Sequence, residues 1–231
     1  MPVPLALGVA FALGGAGWTL AEYLLHRFLF HGASAKSLGA REHRRHHAEV
    51  DYFAPWWQKA LAALATTGLV LPAAVALCGA AIGLAFTAGF IACYLAYEVL
   101  HRVAHTRPPR GAYGRWRRRN HFAHHFRDPR RAHGVTTPFW DAVFGTRLPA
   151  GVVRVPRRLA MPWLVDADGA LRGAYAGDYE LVGSARKDTG TRAADAAAAV
   201  ANHRPAEDPP PAPTPSRCAS PAARRADIRR V

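Results

Sequence analysis

The chain has 231 residues, half of them hydrophobic, and a net charge of +14 from 30 Lys and Arg against 16 Asp and Glu. This contrast predicts apolar helices inside a membrane and a basic surface outside it, in one domain with a tail. The basic residues crowd between Arg102 and Arg131, directly after a long apolar run. An anionic lipid surface therefore explains them better than nucleic acid, which we do not expect as a partner. The three cysteines have no disulfide or metal spacing and give no sign of an oxidising compartment.

The first apolar segment, Val3 to Leu25, is long enough to span a bilayer and contains one charged residue, Glu22. It lacks the basic start of a signal peptide and runs straight into His26, so we expect a retained helix. His31 follows five residues later, and an ideal helix would place the two rings about 140° apart. For both rings to bind one metal, the helix must end or unwind near His31.

A second helix is predicted from Arg41 to Val50, after a small and polar loop. It carries His43, His46 and His47, whose i, i+3 and i+4 spacing puts them on one face. The aromatic residues between Tyr52 and Trp57 suit a membrane interface, and core packing is the alternative for the two tryptophans.

The third apolar stretch, Ala60 to Tyr97, contains no charged residue and is roughly twice the minimum for one span. We therefore predict a helical hairpin with its turn near Cys78 to Ala81. Its second helix runs on to His101 and His105, which lie four residues apart on one face.

The last predicted helix segment, Asn120 to His125, repeats the spacing of the second. Ten of the twelve histidines thus fall into four groups, which we call histidine boxes. In chain order the boxes are His26 and His31; His43, His46 and His47; His101 and His105; and His121, His124 and His125. Neutral imidazole suits Fe, Zn, Cu and Ni, and ten rings exceed the four ligands of one structural zinc. The boxes therefore predict two metals sharing a site.

The positive-inside rule orients the predicted helices, because Arg and Lys follow the first and third spans while the hairpin tip is uncharged. All four boxes then face the cytoplasm, on a multi-pass membrane protein. Glu22, Glu98 and Asp141 are candidate carboxylates for orienting ligand rings, although Glu98 could instead pair with an arginine. His133 and His203 lie outside the boxes, and a lone histidine is more often structural than a ligand.

The predicted fold class is all-α, with the domain boundaries set by composition. Residues 1–150 form the membrane-embedded domain, and residues 151–185 form a short C-terminal extension. Residues 186–231 are rich in Ala, Pro and Arg and predict a disordered tail. From this pattern alone, truncation after about Pro156 is expected to preserve activity.

The order and spacing of the boxes resemble the fatty acid hydroxylase superfamily, which includes sterol desaturases and fatty acid 2-hydroxylases. Further matches are Tyr97 to Arg102, His124 to Pro129 and the ending Gly134 to Thr146, within a resemblance that covers roughly Gly17 to Leu148. It implies a membrane-embedded, O2-dependent di-iron oxidoreductase that hydroxylates or desaturates a lipid such as a fatty acyl chain or a sterol. It also implies an external electron-donor protein, because this sequence carries neither a His-Pro-Gly-Gly haem motif nor a cysteine cluster.

The resemblance carries the metal ligands over to all ten box residues: His26, His31, His43, His46, His47, His101, His105, His121, His124 and His125. Two iron ions are implied, and zinc can replace them during overexpression because it binds the same ligands strongly. One alternative is a carotenoid ring hydroxylase. Another, of a different class, is a membrane metal-binding or metal-transport protein, and a third is an inactive relative.

Overall fold

The structure, a computed structural model, describes residues 1–32, 36–149 and 151–183. Within these residues the α-helices are α1 (Val3–Leu24), α2 (Leu38–Ala48), α3 (Trp56–Cys78), α4 (Ala80–Thr106), α5 (Gly111–Phe126) and α6 (Phe139–Val143), and the strands are β1 (Val153–Pro156) and β2 (Tyr179–Val182). The segment predicted to be a disordered tail, 186–231, lies outside the described residues.

Three helical segments are long and apolar enough to cross a bilayer: Val3–Phe30, Trp56–Cys78 and Ala80–Thr106. They confirm the predicted spans and the mostly helical fold of a membrane protein. The hairpin turn falls at Gly79, whose φ of +81° is a left-handed value that favours glycine.

Small residues allow α1 and α4 to pack closely in this bundle. A Cβ atom added at Gly14 would lie 1.9 Å from the carbonyl oxygen of Phe86, and one added at Gly89 would lie 1.9 Å from that of Phe11. Small residues at a helix interface let two backbones approach in this way inside a membrane. Trp18 then packs edge-on against Phe90, with ring centroids 5.5 Å apart. This contact fixes the end of α1 that leads into the first histidine box.

The first box lies on a π-helical turn, Leu25–Phe30, that continues α1. The backbone N–H of His31 donates to the carbonyl of His26 over 3.2 Å, an i→i+5 bond. The wider turn brings residues five apart close to one face, which an α-helix would not do. The predicted unwinding near His31 therefore takes the form of a π-turn.

Helix α2 begins at Leu38, earlier than predicted, because Ser37 caps its first turn. The Ser37 hydroxyl accepts a hydrogen bond from the backbone N–H of Ala40 over 3.1 Å, as an N-cap serine does. Beyond this helix, Trp56 and Trp57 are 79% and 52% exposed, so neither packs in the core.

Two arginines of the basic cluster are buried, so the prediction that this cluster faces lipid headgroups is wrong for them. Arg117 and Arg118 are each 2% exposed. The Arg118 guanidinium donates to the carbonyls of Val103 and Arg107 over 2.9 and 2.7 Å. Arg107 is the cap residue directly after α4, where carbonyls have no partner within the helix, and the Val103 carbonyl in its last turn also accepts from the Arg107 N–H. Arg118 therefore caps α4 and ties α5 to it.

The extension after α6 forms a small folded unit, which the weak sequence pattern beyond Pro156 did not predict. Strands β1 and β2 pair in parallel, with Val153 opposite Tyr179. Met161 and Leu164 are completely buried, in one hydrophobic cluster with Trp163 and with Phe122 of α5. The extension thus supports the helix that carries the fourth histidine box.

Candidate metal centre

All ten box histidines come together in the structure and divide into two clusters. Cluster 1 contains His26, His31, His43, His47 and His124, and cluster 2 contains His46, His101, His105, His121 and His125. Within each cluster, one ring nitrogen of every residue lies within 4.8 Å of those of the others. Both clusters could therefore hold a metal ion.

Helical periodicity divides the two three-histidine boxes between the clusters. Helix α2 gives His43 and His47, one turn apart, to cluster 1 and gives the intervening His46 to cluster 2. Helix α5 does the reverse, with only His124 in cluster 1. The clusters lie side by side, since the rings of His47 and His125 stack with centroids 4.0 Å apart and planes at 9°.

The ring nitrogens within cluster 1 are spaced as ligands of a common ion would be. The Nε2 atom of His43 lies 3.1 Å from that of His26, 2.8 Å from that of His31 and 3.0 Å from that of His47. Two nitrogens that each lie about 2.1 Å from one ion at right angles are about 3 Å apart. In cluster 2 the Nε2 atoms of His105 and His121 lie 2.8 Å apart. The donor set and its spacing fit two metal ions.

Backbone carbonyls fix the tautomers of three rings. The Nδ1–H groups of His26, His124 and His46 donate to the carbonyls of His133, Arg131 and Tyr52 over 2.6, 2.8 and 2.8 Å, respectively. A carbonyl only accepts, so Nδ1 carries the proton and Nε2 has a free lone pair.

One of these lone pairs is left unsatisfied inside the protein. His46 Nε2 is buried and has no hydrogen-bond partner among the described residues. A buried polar nitrogen without a partner is costly, and a metal ion would satisfy it. This orphaned atom is an independent sign that the site fits a metal.

Burial holds the rings in the form that binds metal. Removal from water is the main cause that lowers the pKa of His46 and His31 to about 4; Lys59 adds to the effect at His46, against the opposing bond to Tyr52, and His133 adds to it at His31. Burial and neighbouring histidines also lower the pKa of His43 and His124 well below its usual range. These rings are therefore neutral at pH 7, as metal ligands must be.

The three carboxylates expected to orient ligand rings have other partners in the structure. Glu22 accepts from the backbone N–H groups of Val135 and Thr136. Glu98 pairs with Lys59 instead of an arginine. Asp141, like Glu22, binds backbone N–H groups of the loop after α5.

Backbone carbonyls thus orient the histidine rings, a role that the sequence analysis assigned to carboxylate side chains. Every residue has a backbone carbonyl, so the sequence could not predict that the carbonyls of Arg131 and Tyr52 accept from histidine rings. His133 belongs to neither cluster; it is 1% exposed, and its ring packs against that of His26 at a centroid distance of 5.5 Å. His203 lies outside the described residues.

A cavity of about 400 Å³ adjoins both clusters. His43 of cluster 1 and His46 and His101 of cluster 2 form part of its wall. Apolar residues of α3, among them Leu61 and Ala65, form another part. Its mostly apolar wall suits a hydrocarbon chain.

Residues 11–146 match a family described as fatty acid hydroxylase. The chain is 33% identical over 159 residues to the dihydroceramide fatty acyl 2-hydroxylase FAH2 of Arabidopsis thaliana, covering 61% of each chain. It is 32% identical to the ceramide very long chain fatty acid hydroxylase scs7 of Schizosaccharomyces pombe and 33% identical to the fatty acid 2-hydroxylase of Rattus norvegicus. Those matches cover 64% and 60% of this chain but 45% and 39% of the relatives, so the chain spans well under two thirds of their length.

Among solved structures, the hydroxylase domain visible in full-length scs7p is similar, with a TM-score of 0.49 and 26% identity. The similarity covers 64% of this chain and 62% of that one.

Proposed function

This chain belongs to the fatty acid hydroxylase family, and from that premise we propose that it is a membrane-bound, O2-dependent di-iron enzyme that hydroxylates a lipid acyl chain. The observation that carries this proposal is the pair of five-histidine clusters beside an apolar cavity. All ten box histidines serve as ligands in this proposal, five for each metal. Iron bound there would supply the oxygen activation that side chains alone do not perform.

The cavity binds and orients the acyl chain in this proposal. Leu61, Ala62 and Ala65 lie on exposed positions of α3, a candidate membrane span, and also line the cavity. An acyl chain can therefore enter directly from the bilayer. The apolar wall excludes water from the carbon that lies against His43 and His101, which limits side reactions there.

A lipid acyl chain is a better substrate candidate than a carotenoid ring. The matched relatives are named as fatty acid or ceramide hydroxylases. The metal-transport alternative is disfavoured by the ligands, because each cluster consists of histidines alone. Transport sites usually bind weakly and include carboxylates or thiols.

Two further parts of the proposal concern sidedness and electrons. Under the positive-inside rule, the arginines that follow the first and third spans support a cytoplasmic location for the clusters. Electrons then arrive from the cytoplasm, from a separate donor protein, while O2 and the lipid arrive through the membrane.

The experiment that tests the proposal combines metal and lipid analysis. The full chain is expressed in iron-replete cells, purified in detergent and analysed for elemental content. Cell lipids are extracted after growth under 18O2 and examined by mass spectrometry. We expect two iron ions per chain and acyl chains that carry one added labelled oxygen. Two tightly bound metals without any oxygenated lipid would favour the metal-binding alternative, and a chain without metal would contradict both.

Filling the cavity should block the substrate but spare the metal centre. We expect Ala65→Trp to reduce lipid oxygenation at least about tenfold, since its indole would occupy space that the acyl chain needs. Metal content should stay at the wild-type value. Leu64→Trp is the matched control, because Leu64 is 70% exposed and is not among the residues that line the cavity. Equal activity of both variants would show that the substrate lies elsewhere.

A further inference from the structure

The segment from Arg131 to Thr146, which we call the closing segment, lies against cluster 1 and supplies two of its ring partners. The carbonyl of Arg131 accepts from His124, and that of His133 accepts from His26. Two carbonyls only two residues apart thus orient two ligands that are 98 residues apart in the sequence. Ala132 lies between them.

Ala132 adopts a backbone conformation that L-residues rarely take. Its φ is +57°, the only positive φ of a non-glycine residue in the part of the chain that the structure describes. Such a conformation is strained and persists only where the surroundings enforce it. Ala132 is also 1% exposed. The strained residue, Ala132, thus lies between the two residues whose carbonyls accept from the histidine rings.

Two buried carboxylates hold the closing segment in this conformation. Glu22 Oε1 accepts from the N–H groups of Val135 and Thr136 over 2.6 and 3.1 Å, and Glu22 Oε2 accepts from the Thr136 hydroxyl over 2.6 Å. Asp141 Oδ1 accepts from the His133 N–H over 2.9 Å, and Oδ2 accepts from the Gly134 N–H over 2.8 Å. Every N–H from His133 to Thr136 therefore donates to a carboxylate.

The rings of cluster 2 make no described hydrogen bond to this segment. The His46 ring donates instead to the carbonyl of Tyr52, in the chain after α2. The buried Nδ1 atoms of His105, His121 and His125 have no hydrogen-bond partner among the described residues. The two clusters therefore differ in what orients their rings.

We propose that Glu22 and Asp141 are positioning residues that act on the metal of cluster 1 alone, through the carbonyls of Arg131 and His133. This inference rests on the proposed function for the identity of the ligands. By holding the segment, the two carboxylates keep His26 and His124 protonated on Nδ1, with Nε2 aimed into the cluster. Without them Ala132 relaxes, the carbonyls turn away and the rings lose both tautomer and orientation. Partners of this kind typically contribute 10–100-fold to metal affinity.

The test is a Zn²⁺ titration of the metal-stripped full chain in detergent, in competition with a chromophoric chelator. Zinc serves as the probe because it binds imidazole strongly and is not redox-active. We expect two equivalents for the wild type. For Glu22→Ala we expect one zinc ion to bind with unchanged affinity and the other to bind about 10–100-fold more weakly. The retained equivalent shows that the variant is folded.

Conservative variants separate positioning from general structure. Glu22→Gln keeps an oxygen for the two N–H groups, and its amide can donate to the Thr136 hydroxyl, so we expect nearly wild-type titration. Asp141→Asn should weaken one equivalent, since both of its oxygens accept from N–H groups and an amide would face one of them. Glu98→Gln is the control, because Glu98 is a carboxylate of the same cavity wall that pairs with Lys59. It should retain both equivalents.

Three outcomes would contradict these expectations. Unchanged affinity for both equivalents in Glu22→Ala and Asp141→Asn would overturn the positioning role, and so would equal weakening of both. Fewer than two equivalents in the wild type would instead count against the proposed function, so the two failures are distinguishable.

Discussion

Replacing His124 with alanine should abolish lipid oxygenation while leaving the chain inserted in the membrane. His124 is completely buried, and its Nε2 atom lies 3.0 Å from that of His31 and 3.2 Å from that of His47. Its removal takes one of the five histidines from cluster 1 and leaves the Arg131 carbonyl without its donor. We expect product formation to fall at least about 100-fold, the upper end of the effect of ligand-orienting partners.

The test measures product formation, metal content and membrane fractionation of the His124→Ala variant. We expect one metal to be lost and the protein to remain in the membrane fraction, because no span contains His124. His203→Ala is the matched control, a histidine outside every box that should behave as the wild type. Normal turnover by His124→Ala would remove the fourth box from the active site.

Ending the chain at Pro156 should destabilise the protein, contrary to the expectation from sequence alone. That truncation removes Met161, Trp163 and Leu164, which are buried against Phe122 of the helix that carries the fourth box. It also removes the hydrogen bond from the Trp163 indole to the Ala104 carbonyl on α4, 3.0 Å long. Burying a large apolar side chain contributes about 1.5–3 kcal/mol, so we expect a loss of about 5 kcal/mol or more.

Thermal unfolding in detergent measures this loss, and Zn²⁺ titration shows whether the metal centre survives it. A chain that ends at Gly183 is the matched control, because it retains both strands and the whole buried cluster. We expect its unfolding temperature to equal that of the full chain. If the chain ending at Pro156 unfolds at the same temperature and binds two equivalents, the extension has no supporting role.

Several features of the site could not be predicted because they depend on contacts between distant segments. The sequence predicts that the Arg cluster faces lipid headgroups, and only the packing of α5 on α4 shows that Arg118 caps a helix end. Glu22 could be singled out as a lone carboxylate in an apolar helix, yet its partners lie more than 110 residues away. The strained backbone at Ala132 has no sequence signature at all, since alanine is not a residue that favours positive φ.

The sequence by itself determined the three candidate spans and the ten histidines that cluster. Hydropathy and helical spacing are local properties, because each depends only on residues that are close together in the sequence. Only the tertiary structure decided which five histidines share each cluster. That division depends on a π-turn at His31, on the side-by-side approach of α2 and α5 and on carbonyls that hold the rings. These are relations between segments far apart in the chain, and the free energy of packing sets them rather than the pattern of any one segment.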